Sequence, residues 1–330
     1  MLRREAPLLF AALLALLALA GPASAAGPKY REPALGIPTA KLAAAFECHG
    51  EVGKGKPAPV LLVSGTGSTG DEVYLITRPA FEALGRPVCE VEFPERTTAD
   101  IQVSVKYLVF GIRRASKLAG RPISILGISQ GGLLPRVALT YWPSLRPLVS
   151  DVVAAAGTQH GSALAKGRCS AAVPCPPALW QQAAGSGLLR ALNSQPYEAP
   201  GPTAWTTVRS ASDESVQPQL GKHPTSSLKG ASNILIQAVC PERTTNHIGT
   251  LVDSVTFAAL ADAISHRGAA KVARLPADVC AHPYATGLSE TATSWLLGIA
   301  AGSIGDPGEA AAGLPAEPPV RAWMKRHPPA

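Results

Sequence analysis

The clearest chemistry lies in the segment Ile123-Ser-Ile-Leu-Gly127-Ile128-Ser129-Gln130-Gly131-Gly132. It places Gly-x-Ser-x-Gly where a strand-like apolar run ends and a helical stretch begins. A serine there sits on a sharp, strained turn that lifts its hydroxyl clear of the sheet, with glycines where neighbouring backbone must come close. The hydroxyl alone is a weak nucleophile; it needs a base and a group that orients the base. On this kind of scaffold the acid follows the serine and the histidine follows the acid. Six histidines lie downstream: His160, His223, His247, His266, His282 and His327. His247 follows the apolar run Ile234–Val239 and the loop Cys240-Pro-Glu-Arg-Thr-Thr-Asn, just before a helix-like stretch, where a catalytic base belongs. His266 falls inside that helical pattern, His223, His282 and His327 each precede a proline, and His160 precedes every suitable acid. Asp213, directly after the run Ala204–Ser210, is the candidate acid, with Glu214 as its neighbour and Asp253 beyond the histidine. Such a set implies acyl transfer through a covalent serine ester.

A tetrahedral oxyanion needs two donors, one being the N–H after the nucleophile, here Gln130, and one from the loop after an early strand. Gly65-Thr66-Gly67-Ser68-Thr69-Gly70 occupies that place, and the Thr66 hydroxyl adds a further donor. The loop lacks the lysine of a GxxxxGK[ST] phosphate cradle and does not fit GxGxxG.

The elements that must position these residues follow from periodicity. Strand-like runs fall at 60–63, 88–93, 123–128, 149–156, 204–210 and 234–239, and helices at 100–119 and 130–142. Their alternation predicts a mostly parallel sheet covered by helices on both faces. Gly161–Pro202 is rich in Ala, Gly, Pro and Ser, with room for one helix at Leu179–Asn193, and reads as an insertion over one edge of the sheet. Residues 303–330, dominated by Gly, Ala and Pro, read as a poorly ordered tail.

The chain has 330 residues, 46% hydrophobic and 16% charged, which excludes a disordered protein. The formal charge of +7 is scattered, and no long stretch interleaves basic and aromatic residues as a nucleic-acid groove would. Arg3 and Arg4, the apolar run Leu8–Ala20 and Ala23-Ser24-Ala25 form the three parts of a secretory signal peptide, cleaved after Ala25. That run is too short to span a bilayer and no other is longer, so stable membrane insertion is not expected. Export predicts three disulfides among Cys48, Cys89, Cys169, Cys175, Cys240 and Cys280. Only Cys169 and Cys175 are close enough for spacing to pair them. Without CxxC pairs or clustered histidines no metal site is expected.

Leu61-Leu-Val-Ser-Gly-Thr-Gly67, Ser129-Gln-Gly-Gly-Leu133, Trp180-Gln-Gln182, Ser212-Asp-Glu-Ser-Val-Gln-Pro-Gln219 and Gln237-Ala-Val-Cys240 together resemble the lipase B-like lipases of the α/β-hydrolase superfamily. The similarity runs in order from about Cys48 to Cys280. It implies the α/β-hydrolase fold with a small cap insertion at 161–202 inside a domain spanning 26–302. It further implies nucleophile Ser129, acid Asp213, base His247, oxyanion donors Thr66 and Gln130, and disulfides Cys48–Cys89 and Cys240–Cys280. Ile128, Thr158, Gln159 and Gln217 are expected to line the substrate pocket. Ile128 stands where those lipases carry a tryptophan beside the alcohol, and Thr158 where they carry an aspartate. Gly157-Thr-Gln-His-Gly-Ser162 is closer to the Gly-Thr-x-x-x-Gly loop of bacterial lipases, and the C-terminal segment does not match. The implied activity is that of a secreted serine carboxylic-ester hydrolase, a lipase for triacylglycerol or other long-chain esters, with a lipid or other ester as partner, including one held at an interface, and no cofactor. A short-chain esterase or polyester depolymerase would use the same triad, and a catalytically silent binding module is the rival from another class.

Overall fold

The computed structural model describes residues 30–303 and 310–329; the expected signal peptide lies outside the described residues. Among the described residues seven strands occur in chain order: β1 (Phe46–His49), β2 (Val60–Val63), β3 (Val88–Val91), β4 (Ile123–Ile128), β5 (Val149–Ala155), β6 (Ala204–Arg209) and β7 (Ser232–Leu235). The first helices are α1 (Thr39–Ala44), α2 (Gly70–Leu84), α3 (Ile101–Ala119) and α4 (Gln130–Tyr141). Three short ones follow β5: α5 (Ala163–Arg168), α6 (Pro177–Gln181) and α7 (Gly187–Asn193). After β7 come α8 (Ile236–Val239), α9 (Gly249–Val252), α10 (Ser254–Ser265) and α11 (Glu290–Ser303).

The sheet order is β1-β3-β2-β4-β5-β6-β7. Only β1 pairs antiparallel, against β3, and every other pair is parallel. This is the helix-covered α/β-hydrolase sheet that the resemblance implies. Central strands such as Val-Leu-Leu-Val are apolar throughout because both faces are buried. Alternate side chains therefore serve two cores: Leu61 and Val63 pack with α3 and α4, while Val60 and Leu62 pack with α2 and α10. Asp100 caps α3 by accepting from the Gln102 N–H, and Gly120 at φ +65° ends it. The three disulfides pair Cys48 with Cys89, Cys169 with Cys175 and Cys240 with Cys280.

Several elements depart from the sequence expectation. The strand expected at 234–239 ends at Leu235, where the chain turns into α8. The cause is the loss of a ladder partner: β6 stops at Arg209, which pairs with Leu235. The Gln237 side chain instead accepts from the Ala211 N–H and donates to Ser210 Oγ and the Arg243 carbonyl. The helix expected at Leu179–Asn193 is two helices, α6 and α7, separated by a turn in which Gly185 has φ +80°.

The insertion leaves β5, an interior strand, and packs on the α3/α4 side of the sheet. Leu188, Leu189 and Leu192 enter that core, and Gln181 Oε1 accepts the Ile101 N–H at 2.7 Å. Residues 310–329 are packed rather than loose. Met324 is fully buried, and Trp323 meets Tyr141 and Trp142 with ring centroids 5.0 and 5.2 Å away. The prolines that made this segment read as disordered lack N–H donors but present carbonyls. Pro319 O accepts from Gln102 Nε2 and Pro329 O from Arg146. Leu314 pairs with Cys175 in the insertion, and its carbonyl also takes the Trp180 indole N–H. The Glu317 carboxylate accepts the first two N–H groups of α7, at 2.7 and 2.9 Å.

Behind α4, the fully buried Arg136 donates to the carbonyls of Gln159 and Glu198 and to Asn193 Oδ1, all at 2.9 Å. Burial pushes its guanidinium down to about 10, still protonated at neutral pH. His160 is fixed nearby, with Nδ1 on Thr225 O and Nε2 on Glu198. The hydrogen bond from His160 holds the Glu198 carboxyl down at about 2.

Two outcomes follow. Met324→Ala empties a closed site between the C-terminal segment and the main core and should cost about 2–4 kcal/mol of unfolding free energy in urea titration. Because the Glu198 carboxyl sits below its ordinary 4.5, the stability it contributes is complete above that value and drains away as pH falls toward 2. Wild type should therefore exceed Glu198→Gln in urea midpoint at pH 6, and the difference should shrink at pH 3.

Candidate active site

Ser129 is the residue between β4 and α4, with φ +59° and ψ −122°. This left-handed backbone costs a non-glycine residue about 1–3 kcal/mol, and it persists because the surroundings allow nothing else. A Cβ on Gly127 would lie 2.0 Å from the Gly131 carbonyl oxygen, and one on Gly131 2.1 Å from that of Val63. Both positions of the Gly-x-Ser-x-Gly pattern are thus steric requirements of α4 crossing directly over the end of β2. The Ser129 N–H is bound to Ala155 O at 2.9 Å, and its carbonyl accepts from Gly132 and Thr158.

Strands β4, β6 and β7 are parallel, so their following loops meet at one edge of the sheet. Asp213 lies four residues past β6 and is 1% exposed. Its Oδ1 accepts the Ser215 and Val216 N–H groups, both at 2.8 Å. Its Oδ2 is 2.9 Å from His247 Nδ1 and 3.4 Å from Gln219 Nε2. His247 is nearly buried, and among the described residues neither its Nε2 nor Ser129 Oγ has a hydrogen-bond partner.

The competing carboxylates have other work. Glu214 Oε2 accepts the backbone N–H of His247 at 2.9 Å, tying the histidine loop to the aspartate turn. Asp253 is fully buried, 3.0 Å from Arg243 Nη1 and 2.7 Å from Thr245 Oγ1, and caps α10 through the Val255 N–H. His160 and His266 stand apart, held by Glu198 and Asp262 respectively.

Thr66, just beyond β2, donates its hydroxyl to Gln130 Oε1 at 2.6 Å. Gln182 Nε2 donates to Thr66 Oγ1 at 2.7 Å and to Gln130 Oε1 at 3.0 Å, and Gln182 Oε1 accepts from the Thr158 hydroxyl at 3.0 Å. The Gln130 N–H is the first of α4 and by helix geometry has no intrahelical acceptor. The 65–70 loop is braced by the turn after β3, where Arg96 donates to Gly67 O and binds Glu72.

The expected pocket residues divide. Thr158 is buried within this amide and hydroxyl network. Gln159 is fully buried behind the elbow, its Nε2 on Gly132 O at 2.8 Å, so it buttresses α4 and does not face an open pocket. Gln217 donates to the Asp213 carbonyl and accepts from Gln219, bracing the acid turn. Ile128 is 6% exposed and packs into the α2/α10 core. Sequence reasoning singled out neither Gln182 nor the clamp role of Glu214; the Trp180-Gln181-Gln182 triplet was the available signal for the first. Among the described residues no group of three or more His, Cys, Asp or Glu side chains could hold a metal ion, and no helix is long and apolar enough to cross a membrane.

No family model matches the chain. It is 34% identical over 236 residues to lipase B of Pseudozyma antarctica, covering 70% of this chain and 68% of that protein. The crystal structure of Aspergillus fumigatus lipase B superposes with a TM-score of 0.79 at 28% identity, over 89% of this chain and 73% of the other. The propeptide form of Bacillus licheniformis lipase BlEst2 shares the fold, with a TM-score of 0.53 at 16% identity over 68% of this chain and 54% of its own. With a strained serine, a buried Asp–His pair and a hydroxyl-rich loop along one sheet edge, the chain belongs to the lipase B family of α/β-hydrolases and is an ester hydrolase.

Proposed function

We propose that this chain is a secreted lipase that cleaves long-chain carboxylic esters through a Ser129–His247–Asp213 triad. The observation that carries the reading is the 2.9 Å contact of Asp213 Oδ2 with His247 Nδ1 on the sheet edge that presents Ser129. With Nδ1 donating to the aspartate, Nε2 is the free basic nitrogen. It takes the Ser129 proton as Oγ attacks the ester carbonyl. The Gln130 N–H and the Thr66 hydroxyl stabilise the oxyanion, each such donor being worth about 3 kcal/mol in barrier. His247 returns the proton to the leaving alcohol, and water hydrolyses the acyl-enzyme by the same route. Secretion is supported by the N-terminal Arg pair, apolar run and Ala-Ser-Ala site, and by three disulfides that suit an oxidising compartment. Ile128, smaller than tryptophan, leaves more room on the alcohol side.

Hydrolysis of p-nitrophenyl esters from acetate to palmitate tests the reading. Activity should persist on long chains and fall by at least about 10,000-fold in Ser129→Ala. Confinement to short acyl chains would identify an esterase instead, and activity indifferent to Ser129 would overturn the triad. Asp213→Asn should lower kcat by about 10³–10⁴-fold, because the imidazole then adopts the wrong tautomer. Ile128→Trp should slow bulky secondary-alcohol esters more than primary ones; equal effects on both would remove Ile128 from the pocket.

A further inference from the structure

We infer that Gln182, contributed by the insertion, is a positioning residue that frees the Thr66 hydroxyl to serve the oxyanion. The inference rests on the ester-hydrolase mechanism proposed above. In the unliganded site Thr66 does not offer its hydrogen to substrate, because it spends it on Gln130 Oε1 at 2.6 Å. To stabilise an oxyanion the O–H must turn away. A buried amide oxygen stripped of its donor would oppose that turn, since an unpaired buried acceptor costs about 1–3 kcal/mol. Gln130 is fully buried, so water cannot replace the lost donor.

Gln182 Nε2 removes the obstacle. It lies 3.0 Å from Gln130 Oε1 and keeps that oxygen satisfied when Thr66 leaves, while its 2.7 Å bond to Thr66 Oγ1 holds the hydroxyl oxygen in place during the rotation. The amide has two hydrogens for three acceptors, so the third contact, to Ala178 O at 3.1 Å within the same short helical segment, is shared with the other two. The amide could act in reverse only if it flipped, and the Ala178 carbonyl, which can only accept, selects the orientation that points nitrogen at Thr66, leaving Gln182 Oε1 to accept from the Thr158 hydroxyl at 3.0 Å. Donors thus run in one direction, from Thr158 to Gln182 to Thr66 to Gln130. A substrate oxyanion takes over the last link.

The test is a double-mutant cycle of Gln182→Leu and Thr66→Val on p-nitrophenyl butyrate, with Ser129→Ala as the activity control and thermal unfolding as the folding control. Gln182→Leu should lower kcat about tenfold with KM nearly unchanged, a fraction of the loss of a whole oxyanion donor. With Thr66→Val already present, Gln182→Leu should cost less than about twofold, because the group it positions is gone. Gln182→Glu keeps the size of the side chain and supplies a pH readout. Its carboxylate only accepts, so it captures the Thr66 hydrogen. Its kcat deficit relative to wild type should shrink on acidification, as the protonated acid donates again. Equal losses in both Thr66 backgrounds, a change in KM alone, or a Gln182→Glu deficit independent of pH would overturn the inference and leave the triad standing. A wild type without Ser129-dependent hydrolysis would overturn both. If Gln182→Leu fails to fold, the Gln182→Glu pH profile decides.

Discussion

The site depends on how closely α4 crosses the ends of β2 and β4. A methyl group at Gly131 would overlap the Val63 carbonyl, and one at Gly127 would overlap the Gly131 carbonyl. With no room for a gentler exit from β4, the backbone turns sharply at Ser129 and accepts a left-handed conformation. Two consequences follow from this crowding. The serine side chain is raised above the sheet, and the first N–H of α4 is left facing the same space, where no helical carbonyl can reach it. The proposed nucleophile and oxyanion donor are thus products of one steric constraint, and a single added carbon would disturb both.

Around that elbow the polar groups are arranged by layers of support. The Asp213 carboxylate is held by two backbone N–H groups and by Gln219, and the same turn extends Glu214 to the backbone of the histidine loop. The imidazole is therefore oriented from two sides, one contact to its ring and one to its main chain. On the other flank the insertion delivers Gln182, and the insertion is in turn fastened by the C-terminal segment through Leu314 and Glu317. A mechanical path leads from residues near the chain end to the hydroxyl of Thr66. Its members are hydrogen-bonded or packed at every step, which accounts for the docking of a segment so rich in proline.

Much of the site was legible in the sequence. Gly-x-Ser-x-Gly reports a steric need, the order of acid and histidine follows from parallel strand connections, and continuous apolar runs report strands buried on both faces. The misreadings share a cause. The strand expected through Val239 continues an apolar run, but a strand needs a partner and β6 ends too early to supply one. The C-terminal segment has the composition of a loose tail, yet Trp323 and Met324 find a hydrophobic seat against Tyr141 and Trp142 that composition cannot describe. Gln159 has a polar side chain in a promising loop, but it is wholly enclosed behind the elbow.

By itself the sequence determined the serine turn, the alternation of strands and helices, and the shortlist of carboxylates and histidines for the proposed triad, because these depend on local backbone geometry and periodicity. Tertiary structure decided which carboxylate meets His247, 34 residues from Asp213, and which amide meets Thr66, 116 residues from Gln182. Those choices rest on where separate segments come to lie once apolar side chains are buried. The energy of that burial belongs to the whole core, so the motifs around Gln182 and Asp213 mark these residues by family resemblance without stating what they meet.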